Sequence, residues 1–326
     1  MKILITGGAG FIGSACAKVL MDRGDEVVIV DNFNDYYDPQ LKRDRINKFL
    51  KGYKNTCGKS VKGKYILYKA NICNVKKMDE IFAHEKPDKV IHLAAMAGVR
   101  ASLENPLLYA HVNVLGTTNL LELSVKNKVK NFVYASSSSV YGDNTKTPFS
   151  EKDPVEKPVS PYAATKKATE LLAYTFSHLY NLPTTGLRFF TVYGPWGRPD
   201  MGVFKFLDLI AREKKIKIFN NGDMERNFTY IDDIVSGTIT VLDADLPCDV
   251  MNIGGDRTVR LMDFIEETEK AVGKIAKKEF MPMQPGDVQK TSANISKIRK
   301  LGWKPTTRIQ QGIPKFATWY KEYYKK

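Results

Sequence analysis

The 326-residue chain is poor in cysteine, and its four, Cys16, Cys57, Cys73 and Cys248, lie far apart. None has a partner at zinc-ligand spacing, and four are too few for a disulfide framework. No metal site is therefore expected, and a reducing cytosol is the simplest location. No run of about 18 uncharged apolar residues occurs, so no transmembrane helix and no membrane partner are predicted. The opening Met1-Lys2-Ile3-Leu4-Ile5-Thr6 goes straight into a strand pattern, so no secretory leader is expected. Internal repeats and low-complexity tracts are missing as well. Hydrophobic residues make up 43% of the chain, which excludes disorder as the dominant state.

Acidic residues are in deficit, with 36 against 50 Lys plus Arg and a formal charge of +14. More than half of that excess sits in residues 40–64, which hold nine bases and the single acid Asp44. A nucleic-acid binder would need a broad basic face with interleaved aromatics, so no nucleic-acid partner is expected. The basic stretch reads instead as solvated surface chemistry, with a steering role for an anionic ligand.

What is present is an alternation of short apolar runs and amphipathic stretches. Strand-like runs cover 2–6, 26–31, 65–69, 89–93, 132–136 and 184–190, and helical patterns cover 13–23, 75–84, 107–125 and 162–180. Gly24 is the expected end of the first helix. This order predicts an α/β protein with a Rossmann-type, doubly wound parallel sheet. After Phe190 the texture changes, starting with Gly194-Pro195-Trp196-Gly197-Arg198-Pro199. Residues 191–326 are expected to form mainly a smaller C-terminal α/β lobe over the carboxyl ends of the strands, with a segment near 228–255, including 249–253, returning to the 1–190 domain.

The first strand runs into Thr6-Gly7-Gly8-Ala9-Gly10-Phe11-Ile12-Gly13, with glycines three apart. Gly7 permits a tight turn, Gly10 lets a pyrophosphate approach the backbone, and Gly13 lets the helix pack closely. Val27-Val28-Ile29-Val30 ends in Asp31, 18 residues beyond Gly13, where a carboxylate accepts from a ribose 2′-hydroxyl and repels a 2′-phosphate. The expected cofactor is NAD rather than NADP.

Tyr162 and Lys166 lie four apart behind Pro161, so they should share one helix face. An ammonium and an oxidised nicotinamide beside a tyrosine both favour its phenolate, which makes it a usable base. Ser136-Ser137-Ser138-Ser139 follows the run Phe132-Val133-Tyr134-Ala135 and so caps a strand at the sheet's carboxyl edge. Together with the glycine turn, Leu93-Ala94-Ala95 and Asn113, these features resemble the extended short-chain dehydrogenase/reductase family along nearly the whole chain. The resemblance implies Ser137 as the catalytic hydroxyl, Tyr162 as acid/base, and Lys166 as the residue that holds the nicotinamide ribose and tunes the tyrosine. It implies cofactor contacts at Gly7, Gly10, Phe11, Ile12, Gly13, Asp31, Asn32, Asn71, Ile72, Leu93, Ala94, Ala95 and Asn113, besides Tyr162 and Lys166. Asn71 stands where an adenine-binding Asp is common, and either can accept a hydrogen bond.

Longer matches single out one branch. Asp31-Asn32-Phe33-Asn34-Asp35-Tyr36-Tyr37-Asp38-Pro39, Ala97-Gly98-Val99-Arg100, Thr191-Val192-Tyr193-Gly194-Pro195-Trp196-Gly197-Arg198-Pro199-Asp200-Met201 and Gly286-Asp287-Val288 are similar to UDP-glucuronate 4-epimerases. The resemblance implies a UDP-sugar substrate, a diphosphate contact from Arg226, a substrate contact from Asp287, and C4 epimerisation of a UDP-uronic acid. Ser138, Ser139, Thr191 and Arg198 are candidates for cradling the uronate, although Arg198 could instead pair with Asp200 at the surface. Gln284 stands where relatives acting on UDP-glucose often carry arginine. Related decarboxylases typically carry Glu at the position of Ser139, and 4,6-dehydratases an Asp-Glu pair at Ser138 and Ser139. Two hydroxyls cannot serve as that acid and base. A decarboxylase or a neutral UDP-hexose 4-epimerase is the nearer rival. A non-catalytic NAD sensor would be expected to lack Tyr162 or Lys166. The helices near 107–125 and 162–180 are apolar on more than one face, which suits a homodimer, as in the family.

Overall fold

Unbroken apolar runs such as Ile3-Leu4-Ile5 and Val27-Val28-Ile29-Val30 require cover on both faces of a sheet. The computed structural model, which describes residues 1–52, 54–55, 64–284 and 288–325, gives them that cover. Eight strands run in chain order: β1 (Lys2–Thr6), β2 (Glu26–Asp31), β3 (Lys54–Asn55), β4 (Lys64–Lys69), β5 (Lys89–His92), β6 (Asn131–Ala135), β7 (Thr184–Phe189) and β8 (Cys248–Ile253). They form one parallel sheet in the order β8-β7-β6-β5-β1-β2-β4-β3. Ile3, Ile5 and Ile29 point into one buried layer, and Leu4, Val28 and Val30 into the other. The order reverses between β1 and β5, the switch point beside which an open α/β sheet places its ligand crevice.

Helices α1 (Phe11–Asp22) and α2 (Pro39–Phe49) pack on one side. On the other lie α3 (Val75–Glu85), α6 (Gly116–Lys126) and α7 (Pro161–Tyr180). Short helices α4 (Val99–Glu104) and α5 (Pro106–Tyr109) follow β5. Gly24 stands just past α1 at φ +96°, as its expected role at the helix end requires. The helix expected over 107–125 is instead α5, a π-helical turn Ala110–Leu115, and α6. The π turn is where the buried Asn113 faces inward, with its amide on both backbone groups of Met96.

The basic stretch 40–64 differs from the solvated surface expected of it. Asp38 caps α2 by accepting from the Gln40 N–H, with Pro39 in the first turn. Lys42 is 6% exposed and Arg45 is fully buried. Two of the bases therefore belong to the interior.

Beyond β7, Thr191–Tyr193 pairs in parallel with Phe228–Tyr230, helix Ile231–Ala244 follows, and β8 joins the sheet beside β7. Lys215–Ile218 pairs with Lys277–Phe280, and Glu225–Arg226 with Val259–Arg260, in two further small sheets. Among the described residues no helix is long and apolar enough to cross a membrane.

Candidate active site

At the carboxyl ends of the strands a cavity of about 710 Å³ is lined by residues from Gly7 to Met201. The glycine turn forms one end. Gly7 sits at φ +68°, and a Cβ there would come within 2.7 Å of the Ala94 nitrogen. A Cβ on Gly13 would approach the Gly7 carbonyl oxygen to 2.3 Å, so glycine lets α1 close on the turn. Gly10, the N-cap of α1, offers no side-chain cap, so the first-turn N–H groups face the cavity unclaimed by a capping side chain. Such a helix start suits a diphosphate. Asp31 is 6% exposed and accepts from the Ala9 N–H at 3.2 Å and the Phe33 N–H at 2.8 Å, with Lys42 Nζ 3.6 Å away. These residues fit a dinucleotide with a free 2′-hydroxyl.

Ser160 caps α7 by accepting from the Ala163 N–H, and Pro161 fills the first turn. Tyr162 and Lys166 thereby face the cavity together. Lys166 Nζ donates to the Ala135 carbonyl at 2.8 Å. Burial, and then the charge of Arg198, lower its pKa to about 8. Burial raises the Tyr162 phenol above its ordinary value, while the Ser137 hydroxyl and the Arg198 charge pull it back in part. Arg198 is thus one cation whose charge favours the phenolate. Ser137 caps the short helix Ser138–Tyr141 by accepting from the Ser139 N–H at 3.1 Å, which leaves its own O–H to donate toward the Tyr162 oxygen.

A buried polar chain supports this turn. Glu170, one turn beyond Lys166, accepts from the Ser136 hydroxyl at 2.6 Å and from Arg188 at 2.8 and 2.9 Å. Arg188 donates to the Tyr141 hydroxyl, which donates to Asn252 Oδ1. No local signal in the sequence marks these residues as a support, because the partners meet only in the folded sheet.

Arg198 lines the cavity with its side chain 23% exposed. It donates to Asp200 at 3.1 and 2.5 Å and lies over the Tyr36 ring, 5.8 Å from its centroid. Burial works against its charge, but Asp200 keeps its pKa above the ordinary value. The pairing with Asp200 does occur, inside the cavity wall and not as a surface ion pair.

The chain matches the family described as GDP-mannose 4,6 dehydratase over residues 4–316. The chain belongs to this family, a branch of the extended short-chain dehydrogenase/reductases. It is 48% identical to the protein CapI of Staphylococcus aureus, over all of both chains. It is 46% identical to a UDP-glucuronate 4-epimerase of Thermodesulfobacterium geofontis, covering 98% of this chain and 96% of that one. The solved UDP-glucuronic acid 4-epimerase of Bacillus cereus, in complex with UDP-glucuronic acid and NAD, superposes with a TM-score of 0.89 at 34% identity, covering 99% and 100% of the two chains.

The expectations for this family member divide on the structure. Gly7, Gly10, Phe11, Ile12, Gly13, Asp31, Asn32, Asn71, Ile72, Leu93, Ala94 and Ala95 all line the cavity, as do Ser137, Ser138, Ser139, Tyr162, Lys166, Thr191 and Arg198. Asn113 does not. Its amide donates to the Met96 carbonyl and the Thr165 hydroxyl and accepts from the Met96 N–H, so it braces the wall from behind. Arg226 stands outside this lining and donates to the Glu225 and Gln289 carbonyls. Asp287 lies outside the described residues. Tyr36, Lys42, Met96 and Phe190 also line the cavity without having been singled out. Tyr36 belongs to the Asp31–Pro39 stretch, but nothing local in that stretch indicates that its ring sits under Arg198.

Proposed function

We propose that the protein interconverts UDP-glucuronate and UDP-galacturonate by reversible oxidation at the sugar C4, with NAD as its bound cofactor. The observation carrying this reading is one cavity that holds a dinucleotide turn, the Ser137–Tyr162–Lys166 set, and an arginine whose charge reaches the phenol. The relatives named UDP-glucuronate 4-epimerase, and the solved one with UDP-glucuronic acid and NAD, support it.

NAD, when bound, supplies a reversible hydride acceptor. Tyr162 takes the proton of the 4-hydroxyl and later returns it, while Ser137 donates its O–H to the same oxygen. Lys166, anchored on the Ala135 carbonyl, holds positive charge beside the base. The keto sugar must present its other face before reduction, so UDP is held firmly and the ring loosely; Arg226 is assigned to the diphosphate and Asp287 to substrate contact. Oxidation at C4 leaves a ketone β to the C5 carboxyl carbon, a grouping that loses CO2 readily. Arg198, with Ser138, Ser139 and Thr191, fixes the carboxylate against that cleavage. The two serines offer no carboxylate for dehydration.

On the same reading, residues 1–190 with the returning segment serve the cofactor, and 191–326 mainly the nucleotide sugar. Leu107, Leu115, Leu171, Tyr174 and Tyr180 are exposed on the helices near 107–125 and 162–180, which supports a homodimer through that face. The free thiols of Cys16, Cys73 and Cys248 support a cytoplasmic location.

Incubation of the purified protein with UDP-glucuronate and no added NAD tests the reading, and UDP-galacturonate is the expected product. A UDP-pentose in its place refutes it in favour of decarboxylation. Interconversion of UDP-glucose and UDP-galactose, with the uronates untouched, shows that Arg198 does not select the substrate.

A further inference from the structure

Arg45 comes from the basic stretch, which the proposed reaction does not use, and it is fully buried. All five of its N–H groups reach oxygen. Nε and Nη2 fork onto the Trp196 carbonyl at 3.0 and 2.7 Å, and Nη2 also reaches the Gly197 carbonyl at 3.2 Å. Nη1 donates to the Tyr37 hydroxyl at 2.6 Å and the Ala9 carbonyl at 3.4 Å. These acceptors belong to three separate parts of the site: the glycine turn, the stretch after Asp31, and the turn leading into Arg198. All of them are neutral, so the guanidinium is solvated by fixed dipoles and does not cancel a carboxylate.

Trp196 is held at φ +65°, a left-handed conformation that a bulky residue keeps only where its surroundings over-determine it. The arginine fork grips its carbonyl, and its ring packs against Phe49, Trp319 and Tyr323 at centroid distances of 5.8, 5.3 and 5.1 Å. Two residues on, Arg198 is clamped by Asp200 above the ring of Tyr36, the neighbour of Tyr37.

We propose that Arg45 is a positioning residue for substrate selection: it holds the Trp196–Gly197 turn in its left-handed form and so sets Arg198 where the C5 carboxylate lands. This rests on the uronate reading of Arg198 given above. Arg45 acts through the turn and touches neither ligand. Because it also grips Ala9 and Tyr37, the glycine turn and the uronate-selecting arginine share one anchor.

The test is calorimetric titration of the NAD-loaded protein with UDP-glucuronate and, separately, with UDP-glucose. Arg45→Lys keeps the charge but cannot fork. It is expected to weaken UDP-glucuronate by about tenfold or more and UDP-glucose by less than about twofold. In an Arg198→Ala background the same substitution should leave the ratio of the two affinities unchanged, because the pair acts as a unit. Tyr37→Phe, a gentler change that strands one N–H, should shift the ratio the same way by about two- to threefold. It decides the matter by the same criterion if Arg45→Lys does not fold. Equal weakening of both sugars, or an effect that adds to that of Arg198→Ala, overturns the proposal. A preference for UDP-glucuronate that survives Arg45→Lys removes the role of Arg45 alone, whereas a wild-type protein binding both sugars equally overturns the uronate reading and this proposal with it.

Discussion

At the glycine-turn end of the cavity the chain works through backbone: Gly7 at φ +68°, the uncapped start of α1, and one carboxylate, Asp31, that also ties down Ala9 and Phe33. At the Tyr162 end it works through side chains brought from α7, from the turn after β6, and from the Arg198 loop. Space is the scarce quantity at the first end, where a single added carbon collides with backbone. Charge is the scarce quantity at the second, where burial works against Tyr162, Lys166 and Arg198 alike. The difference teaches that the first end should fail when something is added, and the second when something is removed.

The sharpest way to break the comparison is Tyr162→Phe. It removes one oxygen and should lower kcat by about 10³-fold while bound NAD and Tm stay near wild type. Steady-state turnover and the absorbance of retained cofactor measure both, and full activity would discard Tyr162 as the acid/base.

Gly13→Ala probes the other end with one added carbon, which meets the Gly7 carbonyl oxygen at 2.3 Å. The chain must shift α1 off the turn, at a cost of about 3 kcal/mol in stability and with loss of retained NAD. An unchanged Tm with NAD still bound would mean that the turn has slack, and the contrast between the ends would lose its basis.

The smallest expected effect sharpens the contrast by changing sign. Lys166 is held down to about 8 by burial and then by Arg198, against 10.5 for a free lysine. Below about pH 8 both folded and unfolded chains carry the proton, and the full cost of burying it is present. From about pH 8 to 10.5 only the unfolded chain binds it, so stability from this group rises with pH across that window. Lys166→Met should therefore raise stability at pH 7 by about 2 kcal/mol after the lost Ala135 hydrogen bond is counted, and the gain should vanish above about pH 10.5. Denaturant melts at pH 7 and pH 10.5 check this, and a destabilised variant at pH 7 would show that the hydrogen bond outweighs the buried charge.

How much of this was legible beforehand follows from the range of the interactions. β1 and β2 stand at the bounds their apolar runs predicted, and Pro161 stands in the first turn of α7 as its place before Tyr162 implied. Each signal lies within a few residues of what it specifies. The α2 helix lies inside a run of bases whose charge pattern carries no helical period, and its start rests on the local Asp38-Pro39 cap. The family resemblance implies a cofactor contact for Asn113, whereas the π turn directs its amide at Met96.

By itself, the sequence determined the parallel sheet, the dinucleotide turn and the Tyr162–Lys166 face, because strand periodicity, glycine sterics and helix spacing are local properties of the chain. Tertiary structure alone decided which charges are surface and which are framework. Arg45 and Arg43 are two residues apart and look alike in the sequence, yet Arg45 is buried because carbonyls 36, 151 and 152 residues away, together with the Tyr37 hydroxyl, converge on its five N–H groups. A buried cation is stable only where such acceptors are already fixed in place, and fixing them is the work of the whole fold.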